Sequence, residues 1–154
     1  MEYRIEKITE KKLVGIHIKT TLSAPDSSDL WRQFMPRRKE IKSTLNPDIY
    51  SVEIFPANNI TPTTIFDKWA AVEVKSFENI PEGFETLTIE SGLYAVFEHA
   101  GNASTALSAL EYIMKQWLPN SGYTYDQRAQ FEIMPEGYNP NDLHAKEEFW
   151  IPIK

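Results

Sequence analysis

The alternation of hydrophobic and polar residues in the first half of the chain predicts four strands and one helix. The strands are predicted where apolar residues recur at every second position, over residues 3–8, 13–18, 50–55 and 69–74. The residues that recur at helical spacing between the second and third strands are Leu30, Phe34, Ile41 and Leu45. Pro36 falls inside that helix, and because proline lacks an N–H group we expect it to kink the helix or to begin a second helical piece.

The second half repeats this order after a turn at residues 81–83. Its strands are predicted over residues 84–89, 93–98, 129–134 and 148–153. A broad apolar stripe over residues 103–117 predicts a helix between the second and third of these strands. The pattern therefore predicts an α+β fold, a single domain over residues 1–154 made of two similar halves at about 1–80 and 81–154. Two such halves leave a crevice where they meet, in which a ligand can sit.

Composition narrows the class of protein. With 42% hydrophobic residues, the chain has enough apolar surface to fold. Its net charge of −6 argues against binding nucleic acid through phosphate contacts and favours a cationic or neutral small partner. The absence of cysteine excludes disulfides, cysteine-ligated zinc and thiol catalysis. His17, His99 and His144 lack metal-ligand spacing and no glycine-rich nucleotide loop occurs, so we expect neither a metal nor a cofactor.

The chain begins with a charged segment and not with the apolar run of a signal peptide. No stretch approaches the ~20 apolar residues that span a bilayer. We therefore expect a soluble, cytoplasmic protein without membrane contact.

Two predicted strands near the C-terminus carry candidate binding residues. Alternation places Glu148 and Trp150 on one side of the last strand, and Glu132 opposite Phe131 and Ile133 on the strand before it. If these strands pair, the two carboxylates can converge beside an indole to form a site for a cation. The same pattern is more often that of a solvated strand face, and paired carboxylates can also act as general acid and base.

Several motifs then occur in an order that resembles the GyrI-like effector-binding family. They are the segments 81–85 (PEGFE), 92–101 (GLYAVFEHAG), 117–123 (WLPNSGY), 131–132 (FE) and 148–154 (EFWIPIK). The resemblance covers nearly the whole chain and is strongest from Pro81 onward.

The resemblance implies a fold and a site. The family has a duplicated β-α-β-β unit with a pocket between its halves, and it forms the ligand-binding part of AraC- and MerR-type multidrug regulators. It implies that Glu132 faces cationic, lipophilic ligands and that Glu148 joins it. Aromatic residues wall the family's pocket, and the candidates for that role here are Trp150, Trp69, Tyr94 and Phe55.

Three functions remain open at this point. The first is a stand-alone protein that binds cationic or amphipathic aromatic compounds in transcriptional or drug-response regulation. We expect it to make no direct contact with DNA, because the chain has no room for a helix-turn-helix domain. The second is a hydrolase that opens cyclopropane rings of genotoxins with Glu132 and Glu148 as acid and base. The third is a protein-interaction module, such as an inhibitor of DNA gyrase.

Overall fold

The structure, a computed structural model, describes residues 1–23, 27–57, 61–139 and 141–154. The described residues form an α+β fold, as predicted. The strands are β1 (Tyr3–Ile8), β2 (Lys11–Thr20), β3 (Ile49–Ile54), β4 (Phe66–Glu73), β5 (Glu85–Ile89), β6 (Gly92–Ala100), β7 (Gln130–Met134) and β8 (Lys146–Ile153). The helices are α1 (Ser28–Arg37), which continues into a 3₁₀ turn (Arg38–Glu40), α2 (Ala103–Tyr112), which continues into a π-helical turn (Ile113–Trp117), and α3 (Leu118–Asn120).

The first helix is shorter than its apolar spacing predicted. It ends at Arg37, one residue after Pro36, and the chain is already extended at Ile41. Leu45 lies outside the helix and is exposed. The 3₁₀ turn Arg38–Glu40, which begins two residues after Pro36, is the second helical piece that was expected as the alternative to a kink.

The described strands form one antiparallel sheet in the order β1-β6-β8-β7-β3-β4-β2-β5. The two halves exchange their first strands, because β1 pairs with β6 of the second half and β5 pairs with β2 of the first half. The halves also meet through β3 and β7, which pair at the centre of the sheet. Three strand pairings thus join two halves that are separate in sequence.

Two short connections force this sheet to curve. β1 and β2 lie six positions apart in the sheet, yet only Thr9 and Glu10 separate them in the chain. Three Cα–Cα steps span at most about 11 Å, whereas six strand spacings in a flat sheet span about 29 Å. Glu90 and Ser91 join β5 to β6 over the same separation. The two ends of the sheet are therefore drawn toward each other.

The sheet has two different sides, which we call the helix side and the aromatic side. On the helix side, α1 covers an apolar core on β2 and β4, and α2 covers a second one on β6 and β8. On the aromatic side, one continuous core takes residues from both ends of the sheet. Its large members are Tyr50, Trp69, Tyr94, Phe131 and Trp150. Among the residues that the structure describes, no helix is both long and apolar enough to cross a membrane.

Candidate functional site

A row of buried polar side chains separates the two cores on the helix side. It crosses five adjacent strands, from β4 through β3, β7 and β8 to β6. We call this row the polar seam, and its members are Lys68, Glu53, Glu132, Glu147 and His99. The glutamates and the histidine are only 7–9% exposed. Charged residues are rarely buried to this degree unless they are paired, so the seam is an unusual feature of the fold.

Strand alternation explains why these residues share one side. Glu53 lies between Val52 and Ile54, which belong to the aromatic side, and Glu132 follows Phe131 in the same way. In the register of the sheet, Glu53 lies opposite Lys68 on one neighbour and opposite Gln130 on the other. Residues directly opposite each other in neighbouring strands project to the same side, so the pairing assembles the seam.

The contacts of the seam leave part of its charge without a partner. The Lys68 Nζ atom lies 3.8 Å from Glu53 Oε1, and the His99 Nδ1 atom lies 3.4 Å from Glu147 Oε1. Glu53 and Glu132 are diagonal neighbours across the pairing of β3 with β7. The Oε2 atoms of both Glu53 and Glu132 are buried without a hydrogen-bond partner among the described residues. A buried oxygen in that state is costly, which marks this end of the seam as a place where a donor or a cation would be stabilised.

Burial and mutual repulsion favour the neutral forms of these acids. Burial, followed by the charge of Glu53, raises the pKa of Glu132 well above its ordinary value. Burial also raises the pKa of Glu53, although the positive charge of Lys68 acts to lower it. The pKa of Glu147 is raised by burial and by the negative charge of Glu132. For Lys68, burial acts to lower the pKa, but the three carboxyls outweigh it and the pKa is raised. These shifts favour neutral carboxyl groups and a positively charged Lys68.

The segment after β7 closes one end of the seam. Burial together with the charge of Glu147 raises the pKa of Tyr138 to about 12. On the opposite flank, the His99 Nε2 atom lies 3.2 Å from Thr105 Oγ1 in the first turn of α2. The seam is thus in contact with a helix on one flank and with a loop on the other.

An open acidic cleft adjoins the seam at the ends of β6 and β8. It has a volume of about 520 Å³, and its carboxylates come from Glu2, Asp48, Glu98, Glu147 and Glu148. His99 and Glu147 line the cleft and also belong to the seam. Among the described residues, no group of three or more His, Asp and Glu side chains is placed to hold a metal ion. The cleft therefore offers negative charge next to the buried carboxyls without the geometry of a metal site.

The expectation that Glu132 and Glu148 converge is wrong. In the pairing of β7 with β8, Glu132 lies opposite Phe149, and Glu148 lies opposite Ile133. Glu132 therefore projects to the helix side, whereas Glu148 projects to the aromatic side. The glutamate of β8 that acts on Glu132 is Glu147, one residue earlier. A shift of one residue moves a strand side chain to the other side of a sheet, and no sequence pattern fixed this register.

Glu148 already has partners on the aromatic side. Its Oε2 atom lies 2.9 Å from Arg4 Nη2, and its Oε1 atom accepts a hydrogen bond of 3.2 Å from the Trp150 indole. The Arg4 guanidinium lies 5.7 Å from the centre of the Trp150 ring, and Lys11 Nζ lies 5.9 Å from it. On the aromatic side, Arg4 and Lys11 therefore occupy the position beside Glu148 and Trp150 that a cationic ligand was expected to take.

The predicted aromatic residues are divided between the two sides. Trp150 and Tyr94 lie on the aromatic side, 5% and 0% exposed, with ring centres 5.9 Å apart. Trp69 lies on the same side and stacks on His17 at 4.4 Å. Phe55 directly follows β3, two residues after Glu53, so alternation places it on the same side of the sheet as Glu53. Its ring centre lies 4.8 Å from that of Phe66. Of the four predicted aromatics, Phe55 alone shares the side of Glu132.

Sequence reasoning did not single out Glu53, Lys68 or Glu147 as site residues, and it considered His99 as a possible metal ligand. A signal existed for Glu53, since it alternates with Val52 and Ile54 and therefore faces away from the aromatic core. Lys68 and Glu147 become recognisable only when the pairing of β3 with β4 and of β6 with β8 is known.

Comparison with known proteins gives a family match over almost the whole chain. Residues 4–153 match the family described as Cass2, integron-associated effector binding protein. The transcriptional regulator BrlR of Pseudomonas aeruginosa is 26% identical over 154 residues, which cover 99% of this chain and 56% of BrlR. The chain therefore spans little more than half the length of that regulator.

Two solved structures share the fold. An integron cassette protein from the mobile metagenome of Vibrio cholerae superposes with a TM-score of 0.74 at 15% identity, covering 99% of this chain and 95% of that protein. SAV2435, solved with bound tetraphenylphosphonium, superposes with a TM-score of 0.70 at 19% identity, covering 100% of this chain and 94% of that protein. The whole curved sheet and its helices thus recur in both structures.

Proposed function

We propose that this chain, which belongs to the Cass2 family of integron-associated effector-binding proteins, binds lipophilic organic cations in the polar seam through the carboxyl group of Glu132. The observation that carries the proposal is the Glu132 Oε2 atom, which is buried without a hydrogen-bond partner among the described residues. The Oε2 atom of Glu53 has the same state beside it. A cation would satisfy both oxygens.

Electrostatics supports a cation over a neutral ligand. An ionised carboxylate in a buried site is stabilised strongly by an opposite charge and not at all by a neutral group of the same shape. Lys68 supplies one ammonium group for a seam with three carboxyls. Aromatic side chains such as Phe55 add roughly 0.5–2 kcal/mol for each cation–π contact that a bound ligand makes. That SAV2435, which shares this fold, was solved with tetraphenylphosphonium agrees with this ligand class.

The biological role we propose is that of an effector receptor in transcriptional or drug-response regulation. The match to BrlR, a transcriptional regulator, supports this role. The net charge of −6 supports a small cationic partner and opposes direct contact with DNA phosphates. The proposal places the protein in the cytoplasm, where such regulators act.

The direct test is titration calorimetry with tetraphenylphosphonium and with triphenylphosphine oxide, a neutral compound with a similar aromatic surface. We expect the wild-type protein to bind the cation more tightly. Glu132→Gln keeps the shape of the side chain and removes its charge, so affinity for the cation should fall at least tenfold while affinity for the neutral compound changes little. An equal loss for both compounds would contradict the electrostatic account.

Glu148→Gln is the matched control. It removes a carboxylate of the neighbouring strand that lies on the aromatic side and is already bound by Arg4 and Trp150. Affinity for tetraphenylphosphonium should change less than twofold in this variant. If Glu148→Gln lowers the affinity for tetraphenylphosphonium as much as Glu132→Gln does, the site lies on the aromatic side or in the cleft and not in the seam.

A hydrolase remains the second candidate, and one observation favours it. Glu53 and Glu132 are neighbouring buried carboxyls on the same side of the sheet, where mutual repulsion favours one protonated and one ionised group, and acid–base catalysis requires such a pair. Glu132 would then work with Glu53 or Glu147, because Glu148 lies on the other side of the sheet. Chemical analysis of a cyclopropane-bearing genotoxin after incubation decides the question. A binding protein returns it unchanged, whereas a hydrolase opens the ring and loses that activity in Glu132→Gln.

A further inference from the structure

We propose that a cationic ligand enters the seam in exchange for a proton held between Glu53 and Glu132, so that binding strengthens as the pH rises. This inference rests on the proposed function. It adds Glu53 as the residue that makes binding depend on pH, a role that is separate from the contact of Glu132 with the ligand.

The geometry of the central strands brings the two carboxyls together. Ser51 of β3 lies opposite Glu132 of β7, and Glu53 lies opposite Gln130. Glu53 and Glu132 are therefore diagonal neighbours on the helix side, within the reach of long side chains. Both side chains are buried, and the Oε2 atom of each is without a hydrogen-bond partner among the described residues. Two neighbouring buried carboxylates repel each other, so the pair is stabilised when one of them carries a proton. The ligand-free site therefore holds one proton and one negative charge.

The surrounding groups explain why this proton is retained. Lys68 from β4 contacts Glu53 and balances one negative charge. Glu147 from β8 adds negative charge on the other flank, where the His99 Nδ1 atom from β6 lies 3.4 Å from its Oε1 atom and where its charge raises the pKa of Tyr138. Tyr125 donates a hydrogen bond of 3.2 Å to Gln130, so this neighbouring amide is also engaged. Burial and the charge of Glu53 raise the pKa of Glu132, in agreement with a protonated pair at neutral pH.

A bound cation changes this balance by one charge. Its positive charge stabilises a second carboxylate, so the proton of the pair is released to solvent and no covalent bond forms or breaks with the ligand. The net charge of the site stays the same, since one positive charge enters as the proton leaves. By linkage, an equilibrium that releases one proton strengthens by up to tenfold for each pH unit in the range where the free pair is protonated.

Titration calorimetry of the wild-type protein with tetraphenylphosphonium tests the exchange. Experiments at pH 6, 7 and 8, each in phosphate and in Tris, separate the heat of binding from the heat of buffer protonation. We expect the release of about one proton for each ligand bound. We also expect affinity to rise up to tenfold per pH unit.

Glu53→Gln is the decisive variant. The amide of the new side chain can donate to the Glu132 carboxylate, and Lys68 then balances a single negative charge. Glu132 should therefore ionise without a ligand, and tetraphenylphosphonium should bind without proton release and with an affinity that does not change with pH. Glu148→Gln, on the aromatic side, should keep the proton release of the wild type.

A second measurement does not depend on this variant. Infrared spectra of the wild-type protein should show the band of a protonated carboxyl group at neutral pH, and the band should disappear when tetraphenylphosphonium binds. Binding that is independent of pH and buffer, with the band unchanged, overturns the exchange and leaves the proposed function intact. Failure of the wild-type protein to bind any of the tested cations at all three pH values overturns both.

Discussion

The three glutamates of the seam work against the stability of the fold in which they lie. Burying a carboxyl group is unfavourable unless it is paired, and Lys68 supplies a close ammonium group to Glu53 alone. Apolar residues at positions 132 and 147 would extend the two neighbouring cores without this cost. The arrangement is therefore typical of a binding site, where residues are retained for a ligand and not for packing.

The first prediction concerns the pH dependence of stability. Burial and the charge of Glu53 raise the pKa of Glu132 well above its ordinary value of 4.5, so above pH 4.5 the folded protein retains a proton that the unfolded chain releases. Because the folded state binds more protons, the free energy of unfolding falls as the pH rises above 4.5 toward the raised pKa. Glu132→Gln removes this group, so the decrease should be shallower by up to about 1.4 kcal/mol per pH unit. Urea unfolding at a series of pH values between 5 and 8 measures it.

The control for this prediction is Glu90→Gln. Glu90 is exposed in the connection between β5 and β6, so the change removes the same charge from a solvated position. Its unfolding curves should follow those of the wild type. If Glu132→Gln also follows the wild type at every pH, the carboxyl of Glu132 is ionised in the folded protein and the cost of its burial has been overstated.

Of the residues in the polar seam, the sequence predicted Glu132 but none of the residues that lie beside it in the sheet. Glu132 was found because strand alternation places it opposite Phe131 and Ile133, and a motif that resembles a family pattern then supported it. Its neighbour Glu147 was passed over in favour of Glu148, because both glutamates fit an alternating strand and the choice depends on the pairing with β7. The partners of a strand residue come from other strands, and a single sequence does not specify them.

Whole elements were more predictable than the contacts between them. Alternation identified each of the eight strands, since period-2 patterning is a local property of the chain. The boundaries moved by two or three residues in places, as for β2, which covers residues 11–20 where alternation predicted 13–18. Exposed strand ends carry polar residues on both sides, so hydrophobicity does not mark where hydrogen bonding stops.

The close packing between β2 and β4 gives the second prediction. Gly15 lies opposite Ala71 in the pairing of these strands, and a Cβ atom added at Gly15 would lie 2.0 Å from the Ala70 carbonyl oxygen. An alanine there must separate the two strands. We expect Gly15→Ala to lower the free energy of unfolding by about 3 kcal/mol or more, measured by urea denaturation.

Gly122→Ala provides the comparison. Gly122 has a φ of 86°, but a Cβ atom there would meet nothing within 4 Å. This substitution adds only the cost of a left-handed backbone, about 1–2 kcal/mol. If Gly15→Ala costs no more than Gly122→Ala, β2 and β4 can adjust their spacing and the close approach does not limit the sequence.

The whole molecule depends on strands that the two halves exchange. The order of elements predicted a duplication, and the family match confirms the resemblance read from the motifs. The exchange itself was not predicted, because both a self-contained half and an exchanged half have the order strand, strand, helix, strand, strand. The two-residue connections from β1 to β2 and from β5 to β6 are also the usual length for a hairpin, so their length does not decide between the two arrangements.

This exchange leads to the third prediction, which concerns the fragments 1–80 and 81–154. The first fragment contains β1 without its partner β6, and the second contains β5 without its partner β2. Each fragment also holds only part of the aromatic core, with Tyr50 and Trp69 in the first and Tyr94 and Trp150 in the second. Neither fragment should give the near-ultraviolet circular dichroism of packed aromatic rings. An equimolar mixture should recover it.

The contribution of β1 can be separated from that of the central pairing. A mixture of 10–80 with 81–154 retains the pairing of β3 with β7 and of β2 with β5, but leaves the outer edge of β6 without its neighbour. It should recover less of the signal than the complete pair, because an unpaired edge and the apolar residues beside it stay exposed to water. Cooperative unfolding of 81–154 alone would contradict the prediction. It would mean that half of the curved sheet is stable without the strand that the other half supplies, and that the sheet forms by docking of two finished units.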